Sequence, residues 1–294
     1  MKGNMRLPAL AAALVLAACT AKDASETAAT DSAAAPVAPA TAAAANEVTI
    51  TATDYAFDAP AEIPAGLTNF RMVVNGKEMH HATLIKLEEG KTFDDMINGM
   101  KAMKPDTPPP GWLIPAGGPN AAAPGNTVSL TMVMEPGNYA IVCFIPDAKG
   151  VPHIAHGMAK PLTVTPNASA NMTEPDADIT VTMSDYKFDF SKPLTAGKHT
   201  LKLVTAPGQP HEFTFFQLSP GKTAADIPKY VETGMQGPPP AMPLGGVAGV
   251  AAGRPSFYTV DLQPGEYAIV CFLEDAKDGK PHFVHGMIQQ IKIG

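Results

Sequence analysis

Two sets of side chains in this sequence combine the residue types that hold a soft metal ion. His80, Cys143, His153 and Met158 lie in the first half, and His211, Cys271, His282 and Met287 in the second. A thiolate, two imidazoles and a thioether suit a trigonal copper centre with a weak axial sulfur, which can pass between Cu(I) and Cu(II) with little rearrangement. A lone buried Cys or Met is ordinary packing; four suitable residues in one order, present twice, point beyond packing. His156 and His285 stand two residues before each Met. With four ligands already in place, both are expected behind the metal ligands or in solvent. If the axial Met fails, His80, Cys143, His153 and His156 could instead form a tetrahedral zinc site.

These residues need elements to position them. From Tyr139 the alternation puts Tyr139, Ile141 and Cys143 on one strand face, expected to be the core face. The loop from Phe144 to Met158 then returns His153 and Met158, while His80 arrives from an earlier strand end. Short runs rich in Val, Thr, Ile, Phe and Tyr, such as Val48 to Thr51, Phe70 to Val74 and Val128 to Val133, read as strands. Thr92 to Met103 has helical spacing, with Met96, Met100 and Met103 on the packing face, and Thr223 to Thr233 is its weaker counterpart. The fold class is therefore all-β, a Greek-key sandwich with one short helical insertion in each half. Gly117-Gly118 and Gly245-Gly246 are expected in loops without the strand-to-helix setting that phosphate binding needs. Asp147 and Asp275 are expected to be turn formers or surface charges.

The halves are copies. Ile50 to Asp58 returns as Val181 to Asp189 at an offset of 131, and His80 falls on His211 at the same offset. Pro136-Gly137-Asn138-Tyr139-Ala140-Ile141-Val142-Cys143-Phe144 returns from Pro264 to Phe272 at 128, and Pro152-His153 returns as Pro281-His282 at 129. A period of this size means tandem domains rather than a solenoid. The expected boundaries are 47–166 and 178–294, joined by a linker over 167–177. His81 is replaced by Glu212 in the second copy, so it is not expected to be a shared ligand.

Residues 1–18 carry Lys2 and Arg6 before an apolar stretch too short to span a bilayer, as in a signal peptide. Leu16-Ala17-Ala18-Cys19 resembles the bacterial lipoprotein lipobox, which implies acylation of Cys19. Residues 19–46, built of Ala, Thr, Pro and Ser, read as a disordered tether. The expected location is the periplasm or cell surface, with the lipid as the only membrane contact. Removal of residues 1–18 leaves 19 basic against 28 acidic residues, a net charge of −9, which disfavours nucleic acid as a partner. Cys143 and Cys271 occupy the same place in separate copies, so a disulfide between them is not expected; metal ligation would protect each thiol from oxidation.

Gly137-x-Tyr139-x-x-x-Cys143 resembles the stretch before the ligand Cys in cupredoxins. The Cys143, His153, Met158 loop is similar to the long-loop version of copper nitrite reductases. Phe57-x-x-Pro60-x-x-Ile63-x-x-Gly66 and the Asn75 to His80 spacing resemble the stretch leading to the first copper His. The resemblance implies one type 1 copper per domain and one-electron transfer with a redox or copper-handling protein partner. It does not extend to enzyme chemistry. The His that sits beside the ligand Cys in nitrite reductases and multicopper oxidases is replaced here by Val142, Phe144, Val270 and Phe272, and no His-x-His pairs suggest a trinuclear cluster. Copper capture or delivery, and a metal-free interaction module, are the competing expectations.

Overall fold

Alternating burial along β1 (Asn46–Thr53) places Val48, Ile50 and Ala52 inside and their neighbours outside, the pattern of a strand with one wet face. The computed structural model describes residues 44–103 and 108–294; the signal segment, Cys19 and most of the tether lie outside the described residues. The first copy continues through β2 (Ala56–Asp58), β3 (Glu62–Pro64), β4 (Gly66–Val74), β5 (Thr83–Leu87), α1 (Phe93–Ala102), β6 (Leu113–Gly117), β7 (Thr127–Met134), β8 (Gly137–Val142) and β9 (Ala159–Thr165). The second repeats it as β10 (Ile179–Ser184), β11 (Lys187–Phe190), β12 (Gly197–Thr205), β13 (His211–Leu218), α2 (Asp226–Glu232), β14 (Ala241–Val250), β15 (Ser256–Leu262), β16 (Gly265–Val270) and β17 (Ile288–Ile293). Among the described residues no helix is long and apolar enough to cross a membrane.

Each copy is a two-sheet Greek-key sandwich, and both sheets run through both copies. One sheet has the order β11-β10-β12-β15-β7-β4-β1-β2, and the other β17-β16-β13-β14-β6-β5-β8-β9-β3. The first seam joins β15 to β7 through Ser256 with Met132 and Phe257 with Thr131. At the second seam Val250 pairs with Ala116, Pro119 with Val247 and Ala122 with Leu244. Pro119 and Val247 each follow a Gly-Gly pair, so they are counterparts that face each other across the seam. This is the geometry of an isologous two-fold interface between copies. Ala42–Gly294 accordingly forms one compact unit, and a single buried cluster contains core residues of both copies, from Ile50 and Phe70 to Phe213 and Ile293.

Three of these four glycines lie in strands rather than in loops: Gly117 ends β6, with Gly118 directly after it, and Gly245 and Gly246 are inside β14. Gly118 has φ +108, and a Cβ there would stand 2.1 Å from the Ala82 carbonyl oxygen; Gly246 has φ +115, and its Cβ would stand 1.9 Å from that of Phe213. No L side chain fits either place, so glycine lets each seam segment approach the backbone next to the first histidine, Ala82 beside His80 and Phe213 beside His211.

β8 is buried on both faces. Tyr139, Ile141 and Cys143 face the space between the sheets, while Ala140 and Val142 lie under α1 with Met96, which is fully buried. Thr92 caps α1 by accepting the Asp95 N–H, and the Asp95 carboxylate accepts the Thr92 N–H in return. α2 covers β16 in the same way, with Ile227 beside Ala268 and Val270.

Candidate metal centres

Cys143 lies immediately beyond β8, where the ladder gives way to a loop that folds back on the strand end. Its N–H donates to Met158 O at 3.2 Å, and its carbonyl accepts the Ile154 N–H at 2.9 Å. The Met158 N–H in turn donates to His153 O at 3.1 Å. The loop ends in a short 3-10 turn, His153–His156, stopped by Gly157 at φ 98. The second copy repeats each feature: Cys271 N to Met287 O at 3.1 Å, Phe283 N to Cys271 O at 3.1 Å, and a turn over His282–His285 stopped by Gly286 at φ 104. His80 enters from the opposite side, exchanging backbone hydrogen bonds with Ala122 next to the seam. His211 begins β13 and pairs with Val250.

These supports bring His80, Cys143 and His153 into one group and His211, Cys271 and His282 into another. All six side chains are buried. In the first group the two Nδ1 atoms are 3.1 Å apart and lie 3.9 and 3.4 Å from Cys143 Sγ. In the second the two Nδ1 atoms are 3.2 Å apart, with His282 Nδ1 3.3 Å from Cys271 Sγ. Donors about 2.0–2.3 Å from a shared metal in a plane stand roughly 3.5 Å from one another, so these spacings fit an ion at the centre of each triangle.

The outward ring nitrogens settle which nitrogen carries the proton. His80 Nε2 is 3.2 Å from Asp54, His153 Nε2 is 2.8 Å from Glu78, and His211 Nε2 is 3.0 Å from Asp185. A carboxylate accepts only, so each of these Nε2 atoms donates and each Nδ1 presents a bare lone pair to the centre. In the first group, two lone pairs and a thiol with one proton then face one another out of water. A cation removes that conflict, and carboxylates behind ligand imidazoles are the usual outer support of metal histidines.

Met158 and Met287 are fully buried and belong to the core cluster that holds Cys143 and Cys271. The backbone bonds above tie each Met to its Cys. Burial sets the ionisation of the groups: it pushes the Cys143 thiol up to about 11 and raises Cys271 as well. It also lowers His80 and His211 and brings His282 down to about 4. Burial therefore favours neutral thiols and neutral rings at His80, His211 and His282, and a bound cation would reverse the preference at sulfur.

His156 and His285 are not gathered into these groups. His156 pairs with Asp147 at 3.0 Å and stacks on Tyr55, whose ring stands edge-on to His153. His285 pairs with Asp278 at 3.1 Å and lies over Tyr186. The tetrahedral set of His80, Cys143, His153 and His156 is thus not assembled. Asp147 and Asp275 are turn formers, each accepting backbone N–H groups of its own loop, but both are buried rather than on the surface. Asp275, Asp278 and His285 also lie close enough together to hold an ion.

Several supporting residues escaped the sequence reading. Asp54-Tyr55 and Asp185-Tyr186 are repeated in the sequence, which was the one available signal, but nothing local says that each Asp supports a histidine 26 residues away. His81 and Glu212, chemically unlike, do one job: His81 Nε2 accepts the Phe144 N–H and Glu212 Oε1 accepts the Phe272 N–H, each at 2.7 Å. They fasten the strand after the first histidine to the residue after the Cys. Burial lowers His81 to about 3 and raises Glu212 to about 7, so His81 is a neutral acceptor.

No family model matches the sequence, and no curated protein matches it. Among solved structures, the chain is similar to the reduced auracyanin of Roseiflexus castenholzii, with 22% identity over 42% of this chain and 100% of that one and a TM-score of 0.27. It is also similar to the blue copper oxidase of Nitrosomonas europaea, with 14% identity over 85% of this chain and 86% of that one and a TM-score of 0.25. The copper nitrite reductase of the same organism aligns at 15% identity over 85% and 94% of the two chains, with a TM-score of 0.25.

Proposed function

We propose that each half of the chain holds one copper ion and that the protein carries electrons one at a time. His80, Cys143 and His153 would hold the first ion and His211, Cys271 and His282 the second, with Met158 and Met287 as candidates for a further sulfur donor to each. The observation that carries this reading is the pair of Nδ1 atoms 3.1 Å apart beside a buried thiol, with both Nε2 atoms turned to carboxylates. Copper bound by one thiolate and two imidazoles supplies a one-electron couple with little change of geometry.

The protein's own residues do the rest. Backbone hydrogen bonds to Met158, Ile154 and Ala122 fix Cys143 and His80, the carboxylates orient the rings, and burial of all three donors keeps water out. Full burial also argues against rapid hand-over of the ion, so electron transfer is favoured over copper delivery. Val142 and Phe144 flank Cys143, and Val270 and Phe272 flank Cys271, so no adjacent imidazole leads to a further metal. A carrier of this kind serves a separate redox protein. Export, acylation of Cys19 and a place in the periplasm or on the cell surface, with the lipid as sole membrane contact, complete the proposal.

Copper titration of the fragment beginning after Cys19 tests it, with Cys143→Ser and Cys271→Ser alongside. Two equivalents, an intense visible thiolate-to-copper absorption, halving of that band in each variant and reversible one-electron reduction are expected. A colourless protein without stoichiometric metal would leave an interaction module. Bound copper that cannot be reduced and reoxidised in place would favour capture or delivery.

A further inference from the structure

We propose that the two sites are unequal, and that the exchange of Glu78 for Gln209 between the copies makes them so. Glu78 is a positioning residue that strengthens His153 as a ligand, and His282 lacks its equivalent. The inference rests on the metal-binding reading above.

The first histidine is supported alike in both copies, His80 by Asp54 and His211 by Asp185. The second is not. In the first copy the Glu78 carboxylate stands 2.8 Å from His153 Nε2, and the Tyr55 hydroxyl donates to its other oxygen at 3.3 Å. Gln209 holds the equivalent position, two residues before the first histidine. Its Oε1 accepts the Ala276 N–H at 3.0 Å, and its Nε2 donates to Asp275 Oδ2 at 2.8 Å. The Tyr186 hydroxyl donates to that same oxygen at 2.5 Å. Asp275 Oδ2 is left 4.0 Å from His282 Nε2, which is fully buried and has no hydrogen-bond partner among the described residues.

The neighbouring loop explains why Asp275 is available to Tyr186 and Gln209. In the first copy Asp147 pairs with His156. The second loop is one residue longer between its Cys and His, and Asp278 there takes His285 instead. With one amide in place of a carboxylate and one inserted residue, the nearest carboxylate oxygen is taken up by the tyrosine and the amide and stands 4.0 Å from the ligand ring, beyond hydrogen-bond reach.

A carboxylate on the far nitrogen of a ligand imidazole raises its basicity, and loss of such a partner typically weakens metal binding about ten- to a hundredfold. The first site should therefore bind a divalent ion more tightly than the second. Co(II) is the probe, because its thiolate absorption reports binding without redox chemistry. Cys271→Ser isolates the first site and Cys143→Ser the second. The expected result is a first site tighter by about tenfold or more, Glu78→Gln erasing that advantage, and Gln209→Glu in the second site recovering it. Both exchanges conserve shape, and thermal unfolding of the metal-free proteins checks their folding. The titrations are repeated in 1 M salt, where long-range charge is screened within about 3 Å.

Equal affinities, no gain from Gln209→Glu, or a contrast that vanishes in high salt would each overturn the assignment of Glu78. Absence of cobalt binding in both single-site proteins would instead remove the metal-binding reading, and this inference with it.

Discussion

Replacement of Gly118 by alanine probes the link between the seam and the first site. The new Cβ would stand 2.1 Å from the Ala82 carbonyl and 3.1 Å from the Leu84 nitrogen, both backbone atoms that cannot turn aside. Its φ of +108 adds a conformational cost of about 1–2 kcal/mol for a residue with a Cβ. Relief of the contact requires the seam strand and β5 to part by about 1 Å, given that real Cβ atoms stay beyond 3.0 Å. That movement strains the Ala82 N to Pro119 O and Ala248 N to Gly118 O bonds, both 2.9 Å, at a net cost of about 0.5–1.5 kcal/mol each. The total is about 2–5 kcal/mol. Gly150→Ala is the control: its φ is +79, but a Cβ there meets nothing within 4 Å, so only the conformational cost applies. Urea unfolding of both variants measures the difference. Because Ala82 is two residues from His80, Gly118→Ala should also weaken metal binding in the Cys271→Ser protein, and Gly150→Ala should do so much less. Equal destabilisation by the two alanines would refute the steric argument and the claim that the seam positions His80.

Three further outcomes are expected. His81→Leu leaves the part-buried Phe144 N–H without its acceptor and should lower stability by about 0.5–1.5 kcal/mol in denaturant unfolding, the net contribution of one hydrogen bond. Met96→Ala opens a cavity between α1 and β8 and should cost about 2–5 kcal/mol, with cobalt affinity nearly unchanged because its cluster does not include Cys143. Asp178 is held below the usual carboxylate range, first by its hydrogen bond from His199. The depressed value means that its contribution is complete above the ordinary Asp range and is lost as pH falls through the folded value. Asp178→Asn should therefore narrow the stability gap to wild type in acid, seen in thermal unfolding against pH; a constant gap would count against the pairing.

Much of the site could be read from residue order because its ligands are local. Cys143, His153 and Met158 belong to one loop, and the strand alternation already turns Cys143 inward. The duplication added His80 and His211 at a common offset, and the helical spacing from Thr92 to Met103 located the first helix. The sequence by itself therefore determined the strand-rich class, the two copies and the three-donor groups. It could not show the seams, since strand pairing between distant segments leaves no periodic trace, and the Gly-Gly pairs look like loop until the Ala82 and Phe213 carbonyls are placed against them. Only the tertiary structure decided that Asp54, Glu78 and Asp185 stand behind the histidines, that His156 turns away to Asp147, and that His81 and Glu212 do the same work. It alone separated the two sites, because a Glu or Gln two residues before a histidine has meaning only once the fold brings the ring of another loop within hydrogen-bonding reach.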